Sequence, residues 1–215
     1  MLISYEQEKN RRQVPKTSEY LKVKDYCDYL YCYLQVNSSF DEANKIRYIL
    51  KKDLKFAAVG RDLEMSRQTA KKKFDKLVEL GLVVEENYRY VLVTLDKTLA
   101  ELVPFSTLRI LTNTVQDKVI SVYVYLLVRY RAEQQRSFIF TLKQIKAAVG
   151  VGESKSTDYI VTDILVVLKK LGLLEYELGE AGSDEGYKTI YKVSNMNNKI
   201  EEQKLDSDAE LIQKC

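Results

Sequence analysis

The 215-residue chain contains no histidine. An imidazole general base and a His-assisted nucleophile are therefore excluded. Zinc, which takes four ligands drawn mostly from thiolates and imidazoles, has almost nothing to bind. Three cysteines, Cys27, Cys32 and Cys215, do not make a disulfide framework. Cys27 and Cys32 stand on an expected helix and point in different directions, so they read as ordinary thiols of a reducing compartment. The eight glycines are scattered, and no Walker or dinucleotide phosphate loop can be assembled from them. No apolar run reaches the roughly 18 residues that span a bilayer. The opening MLISYEQEKNRR lacks the charge-then-apolar order of a secretory leader. Acidic residues show no clustering beyond solvated helix faces. The expectation is a cytoplasmic protein that is not an enzyme, with no metal, no cofactor and no membrane segment.

What the chain does have is a repeat. Tyr48-Ile49-Leu50, Ala57-Ala58-Val59-Gly60, Ser66 and Leu80-Gly81-Leu82-Val83 recur about ninety positions on. The counterparts are Phe138-Ile139-Phe140, Ala147-Ala148-Val149-Gly150, Ser156 and, one position out of that register, Leu171-Gly172-Leu173-Leu174. Such a period exceeds the roughly 20–50 residues of a solenoid unit and matches a small domain. A chain of this length, 46% hydrophobic, can fill two small cores.

Each copy is expected to run helix, strand, helix, turn, helix, hairpin. In the first, residues 26–34 carry a tyrosine-rich apolar stripe, and a polar loop with Asn37-Ser38-Ser39 precedes a β-prone run at 46–50. Residues 52–63 form the second helix. Ser66 stands where an N-cap belongs, and 67–80 carries Ala70, Phe74, Leu77 and Val78 at the spacing of a buried face. Gly81 ends that helix, and 82–85 with 88–95 form a hairpin. In the second copy the counterparts are 119–130, 138–140, 141–149 and 157–171, followed by a longer hairpin with 179–186 as its flexible tip.

The order, and above all the stretch LEMSRQTAKKKFDKLVELGLV at 63–83, resembles the winged helix-turn-helix, in which the third helix enters a DNA groove and the hairpin is the wing. The fold class this implies is α+β, mainly helical, with two tandem winged helix-turn-helix domains from an internal duplication. The corresponding divisions are an N-terminal arm at 1–19, a first domain at 20–97, a second at 98–195 and a tail at 196–215. The basic run Lys9, Arg11, Arg12 and Lys16 reads as an ordinary disordered terminus ahead of an arm along DNA. Residues 96–104 read as a packed connection.

The net charge is only +3, and its distribution says more. Arg61, Arg67, Lys71, Lys72, Lys73 and Lys76 face three acids over residues 61–76, while 153–170 holds three basic and three acidic residues. On a helical wheel Gln68, Thr69, Lys72 and Lys76 lie opposite the apolar stripe with Lys71 and Lys73 flanking it, an arrangement that lets amide and cationic donors reach base edges and phosphates. The bland alternative is a lysine-rich solvated face. The matching helix of the second copy is apolar almost all round: Val166 faces outward beside Tyr159 and Thr162. This points to a protein contact or homodimer there, with phosphate contacts left to Lys155, Ser156, Thr157 and Lys169; the alternatives are a thicker core within the domain and packing against the other copy. The first wing has Arg89 as its one basic residue. The second, with Glu177, Glu180, Asp184 and Glu185 against Lys188, is expected to stay off DNA.

The tandem arrangement over residues 20–195 resembles plasmid replication initiators and phage replisome organisers. That resemblance implies a double-stranded DNA partner, read by Arg67, Gln68, Thr69, Lys71 and Lys72. Ser66, Lys73, Lys76 and Arg89 complete the candidate surface. A transcriptional regulator of the same fold and a protein-interaction module, such as a phage-encoded inhibitor, are the alternatives.

Overall fold

The structure, a computed structural model, describes residues 11–15, 28–95, 100–114, 118–183 and 186–197. These form an α+β fold with seven helices and small antiparallel sheets among the described residues. The chain divides into two compact units. The described parts of the first are 11–15, 28–95 and 100–114, and those of the second are 118–183 and 186–197.

The first unit is built around α1 (Asp28–Val36), whose Leu30, Tyr31, Cys32 and Leu34 are fully buried. A helix this apolar is stable only when covered on most sides. Two-stranded pairing of β1 (Arg11–Pro15) with β6 (Ala100–Pro104) supplies part of the cover, Arg12 lying opposite Val103. Next comes α4 (Phe105–Asn113), which buries Leu108 and Leu111. The Tyr29 hydroxyl fastens its end to α1, lying 2.7 and 2.6 Å from the carbonyls of Thr112 and Thr114.

Two sequence expectations change here. Residues 11–15 are an ordered strand, not a disordered terminus, because Val14, 1% exposed, seats β1 in the core; residues 1–10 and 16–19 lie outside the described residues. The boundary also falls after α4, not at 97/98, because buried Ala100, Val103, Leu108 and Leu111 complete the first core.

A four-stranded sheet runs β2 (Ser39–Asp41), β3 (Ile46–Leu50), β5 (Arg89–Leu92), β4 (Val83–Glu85). The polar segment expected as a loop thus contributes β2. Its turn is held by the Asp41 carboxylate, which accepts from the Ala43 and Asn44 amides, both at 3.1 Å. Between β3 and β4 lie α2 (Phe56–Asp62), shorter than the expected 52–63, and α3 (Arg67–Glu79). The Ser66 side chain accepts from the Thr69 amide at 3.0 Å, as its position predicts. Ala70, Phe74 and Leu77 are buried, and Val78 is half-buried.

In the second unit α5 (Val119–Ala132) buries nine of its residues. It is followed by β7 (Phe138–Phe140), α6 (Leu142–Ala148), α7 (Lys155–Lys170), β8 (Leu174–Ser183) and β9 (Gly186–Met196). Strand order β7-β9-β8 mirrors β3-β5-β4 of the first unit. The expected loose tip at 179–186 is instead largely strand, paired from Gly179↔Ile190 to Ser183↔Gly186; residues 184 and 185 lie outside the described ones.

Both Leu-Gly-Leu signals end their helices in the same way. Gly81 and Gly172 take φ of 70° and 67°. The amides of Leu82 and Leu173 then donate back to Leu77 and Leu168, each at 3.0 Å. This is the six-residue closure of a Schellman turn, and it needs a left-handed residue. The paired Ala-Ala-Val-Gly signals do not share one reason. Gly150 has φ 67° just past α6. Gly60 lies inside α2, where an added Cβ would sit 2.6 Å from the Met65 carbonyl oxygen.

Gly60→Ala should therefore lower stability by about 1–3 kcal/mol, the usual penalty for forcing atoms into a packed contact. Gly152→Ala, with nothing within 4 Å of the new Cβ, should change it by no more than about 0.5 kcal/mol. Thermal denaturation of the two variants side by side measures the difference.

Candidate nucleic-acid interface

The first-copy candidates from Ser66 to Lys76 all fall on α3 and its cap, as their spacing predicts. Arg67, Gln68, Thr69, Lys71 and Lys72 are exposed, and Lys73 and Lys76 are half-buried. They divide by what they touch. Lys71 pairs with Asp75 one turn on and lies 5.7 Å from the centre of the Phe56 ring. Lys76 is 2.9 Å from Glu79. Thr69 is 2.9 Å from the Ser66 hydroxyl. Arg67, Gln68 and Lys72 make no hydrogen bond or ion pair among the described residues.

The uncommitted donors Arg67, Gln68 and Lys72 thus fall in the first turn and a half of the helix, while Lys71 and Lys76 are already balanced by acids. No acidic residue stands in the first turn. Its unpaired backbone N–H groups and the positive end of the helix dipole favour an anion. Asp75 and Glu79 were open to detection by spacing, since i,i+4 and i,i+3 neighbours on a helix meet.

Arg89 is placed apart from this group. Its guanidinium is 2.6 Å from Glu86 and 3.4 Å from Asp41, and its side chain is 15% exposed. It packs over the Tyr48 and Tyr88 rings at 5.3 and 5.4 Å. The Glu86 hydrogen bond holds its pKa above the usual arginine value. Asn44 hydrogen bonds hold the Asp41 carboxyl below the usual carboxylate range. Beside it Lys51 is 2.6 Å from Glu85. The charges at this hairpin are internally matched, so Arg89 serves the hairpin itself.

In the second unit the N-cap is Ser154, two residues before the Ser156 that the repeat matched to Ser66. Its side chain accepts from the Thr157 amide at 3.3 Å, and the Thr157 hydroxyl accepts from the Ser154 amide at 3.1 Å. The Thr157 hydroxyl is also 2.5 Å from the Gly152 carbonyl, and Ser156 is 2.8 Å from the Ser154 hydroxyl. Both hydroxyls expected to meet phosphate are therefore engaged in the cap. Lys169 donates to the Tyr176 carbonyl at 3.1 Å and lies over its ring at 4.8 Å. Lys155 is exposed. Tyr159, Ile160 and Val166 are exposed at 71%, 47% and 38%, and Thr162 is half-buried. Val166 thus faces solvent, as the wheel predicted.

Among the described residues no group of three or more His, Cys, Asp or Glu side chains is arranged to hold a metal, and no helix is long and apolar enough to cross a membrane. The chain matches no protein-family model, no curated protein and no solved structure.

The sequence reading missed one contact that fixes α7. Lys146 of α6, its side chain 8% exposed, lies 2.5 Å from Asp158 in the first turn of α7. A buried ammonium that loses its counter-charge is costly. Asp158→Asn should lower stability by about 1–3 kcal/mol, while Lys155→Ala at the exposed neighbouring position should be within about 0.5 kcal/mol of the parent. Denaturant unfolding of both variants checks the contrast.

Proposed function

We propose that this chain is a tandem winged-helix protein that binds double-stranded DNA sequence-specifically, of the kind that initiates replication of a plasmid or phage. In this reading α3 is the recognition helix, β4–β5 and β8–β9 are the wings, and the two units are diverged copies. The shared element order, the shared sheet order and the two matching Schellman turns support the duplication. The observation that carries DNA binding is the exposed, uncommitted set Arg67, Gln68 and Lys72 at the capped, acid-free start of α3. Recognition helices of this type present their N-terminal residues to base edges. An uncommitted cation gains more from a phosphate than one already paired. Arg67 and Lys72 therefore supply the affinity, Gln68 the base reading, and Lys71 and Lys76 contribute less. Assignment to replication rests on the resemblance of the tandem architecture to initiators and replisome organisers.

Selection from random duplexes, followed by titration across salt, tests the reading. Arg67→Ala and Lys72→Ala should each weaken binding to all sequences and reduce the salt slope by about 0.9 per lost phosphate contact. Gln68→Ala should leave non-specific binding intact and reduce discrimination at one position by about 1–3 kcal/mol. Unchanged affinity in all three folded variants would remove α3 as the reader.

For the second copy we propose self-association through the exposed face of α7, carried by Tyr159, Ile160 and Val166 standing exposed on one helix. Val166→Glu should lower the sedimentation coefficient of an associated species and leave stability within about 0.5 kcal/mol. A variant that stays folded, associates normally and loses DNA binding would instead make α7 a second reader.

A further inference from the structure

The exposed face of α7 is charged as well as apolar, and the charges of this helix fall into two groups. Asp158 lies 2.5 Å from Lys146, and Lys169 donates to the Tyr176 carbonyl at 3.1 Å while lying over its ring. Those two serve their own unit. Asp163 and Lys170 are exposed and make no hydrogen bond or ion pair among the described residues. Asp163 comes three residues before Val166 and Lys170 four after it, offsets of about 4.5 Å and about 6 Å along the axis. At about 100° per residue both stand on the same side of Val166, about 60° and about 40° round the helix. Tyr159, 71% exposed, lies two turns before Val166 and extends the apolar line. The face thus presents an acid, an apolar centre and a base in order along one helix.

Such a face is complementary to itself in one orientation. Turned end over end, it offers a lysine where it had an aspartate. Two copies packed antiparallel about a two-fold axis beside Val166 bring the two valines together and set each Asp163 next to the partner's Lys170. The offsets differ by only about 1.5 Å, which the flexible lysine stem takes up. Parallel packing would set Asp163 level with Asp163 and Lys170 level with Lys170, an arrangement of like charges that is disfavoured. A DNA backbone would meet the Asp163 carboxylate near the middle of the face and be repelled. Resting on the self-association proposed above, we infer that α7 is an isologous interface that pairs antiparallel with α7 of a second copy of this chain, Val166 against Val166 and Asp163 against the partner's Lys170. Apolar burial supplies the affinity. The ion pairs, exposed and individually weak, set the orientation.

The test is sedimentation equilibrium of the full chain at low salt. It compares the parent with Asp163→Lys, Lys170→Glu, the double variant and an equimolar mixture of the two single variants. Both positions are exposed, so each variant should keep the melting temperature of the parent. Each single variant sets like charges together twice per dimer and should raise the dissociation constant by about tenfold or more. The double variant, with the charges exchanged, should return to within about threefold of the parent. The mixture should associate as tightly as the parent, because in the mixed pair the altered positions meet each other and so do the unaltered ones. These differences should shrink as salt rises. Association that Val166→Glu abolishes and both single charge variants leave intact would overturn this pairing while self-association through α7 stands. A parent that stays monomeric, or that associates equally well as Val166→Glu, would remove both. Tighter association of the parent with Asp163→Lys than of either alone would make the helices parallel and overturn the antiparallel arrangement. Tighter duplex binding by Asp163→Lys, with self-association unchanged, would overturn it in favour of DNA on this face.

Discussion

Phe74, 2% exposed on the inner face of α3, meets Phe56 of α2 and Tyr90 of β5 edge-on at centroid distances of 5.2 and 4.8 Å. One ring thereby fixes the helix pair and the hairpin against each other. Edge-to-face aromatic pairs have a preferred geometry as well as buried area, so this contact sets an angle and not merely a proximity. The direction in which Arg67, Gln68 and Lys72 leave the surface follows from it, because the buried stripe of a helix determines its exposed one. The Schellman turn at Gly81 then delivers the chain into β4 at a defined point, and the Val93 amide closes onto the Leu82 carbonyl at 3.0 Å. The second unit repeats that closure, Asn197 donating to the Leu173 carbonyl at 3.1 Å. Its ring cluster differs: Phe140 stacks on Tyr191 at 5.2 Å with an interplanar angle of 5°.

The two units handle charge in opposite ways. In the first, Asp75 and Glu79 pair with Lys71 and Lys76, and no acid stands in the first turn, which leaves the start of the helix cationic. In the second, Asp158 sits at the start of α7 and is tied to Lys146, so the same end of the helix carries an acid. An anion approaching both helix starts would meet a favourable field at one and a partly cancelled field at the other. The contrast arises from a few side chains on a shared order of elements.

Much of this order was legible in the sequence because it rests on local signals. The strands at 46–50 and 138–140, the Ser66 cap and the stop at Gly81 each depend on residues within a few positions of one another. What escaped was non-local. The pairing of β1 with β6 joins residues some ninety apart, and five residues such as Arg-Arg-Gln-Val-Pro carry no periodicity that announces a strand. The cap at Ser154 escaped for another reason: counting along the repeat pointed to Ser156, while the loop through Gly150 and Gly152 shifts the helix start. In the candidate site the residue types and their face were readable. Their division into paired and uncommitted groups, and the capture of Arg89 by Asp41, needed three dimensions, since Asp41 and Arg89 are brought together only by β2–β3–β5 pairing.

The antiparallel lacing of β1 with β6 means that the first unit is closed by pairing its first described strand with the strand that precedes its last helix. Arg11 lies opposite Pro104, and Pro15 opposite Ala100. A cut at residue 97, where the repeat suggests a seam, would strip β6 from its partner and uncover the edge of β1 together with the buried side of α1. An unpaired edge of that kind is a template for intermolecular strand addition. Any fragment meant to carry the first unit alone must therefore keep residues 11–114 together, and shorter pieces would be expected to aggregate for a reason unrelated to the helix that they were made to study.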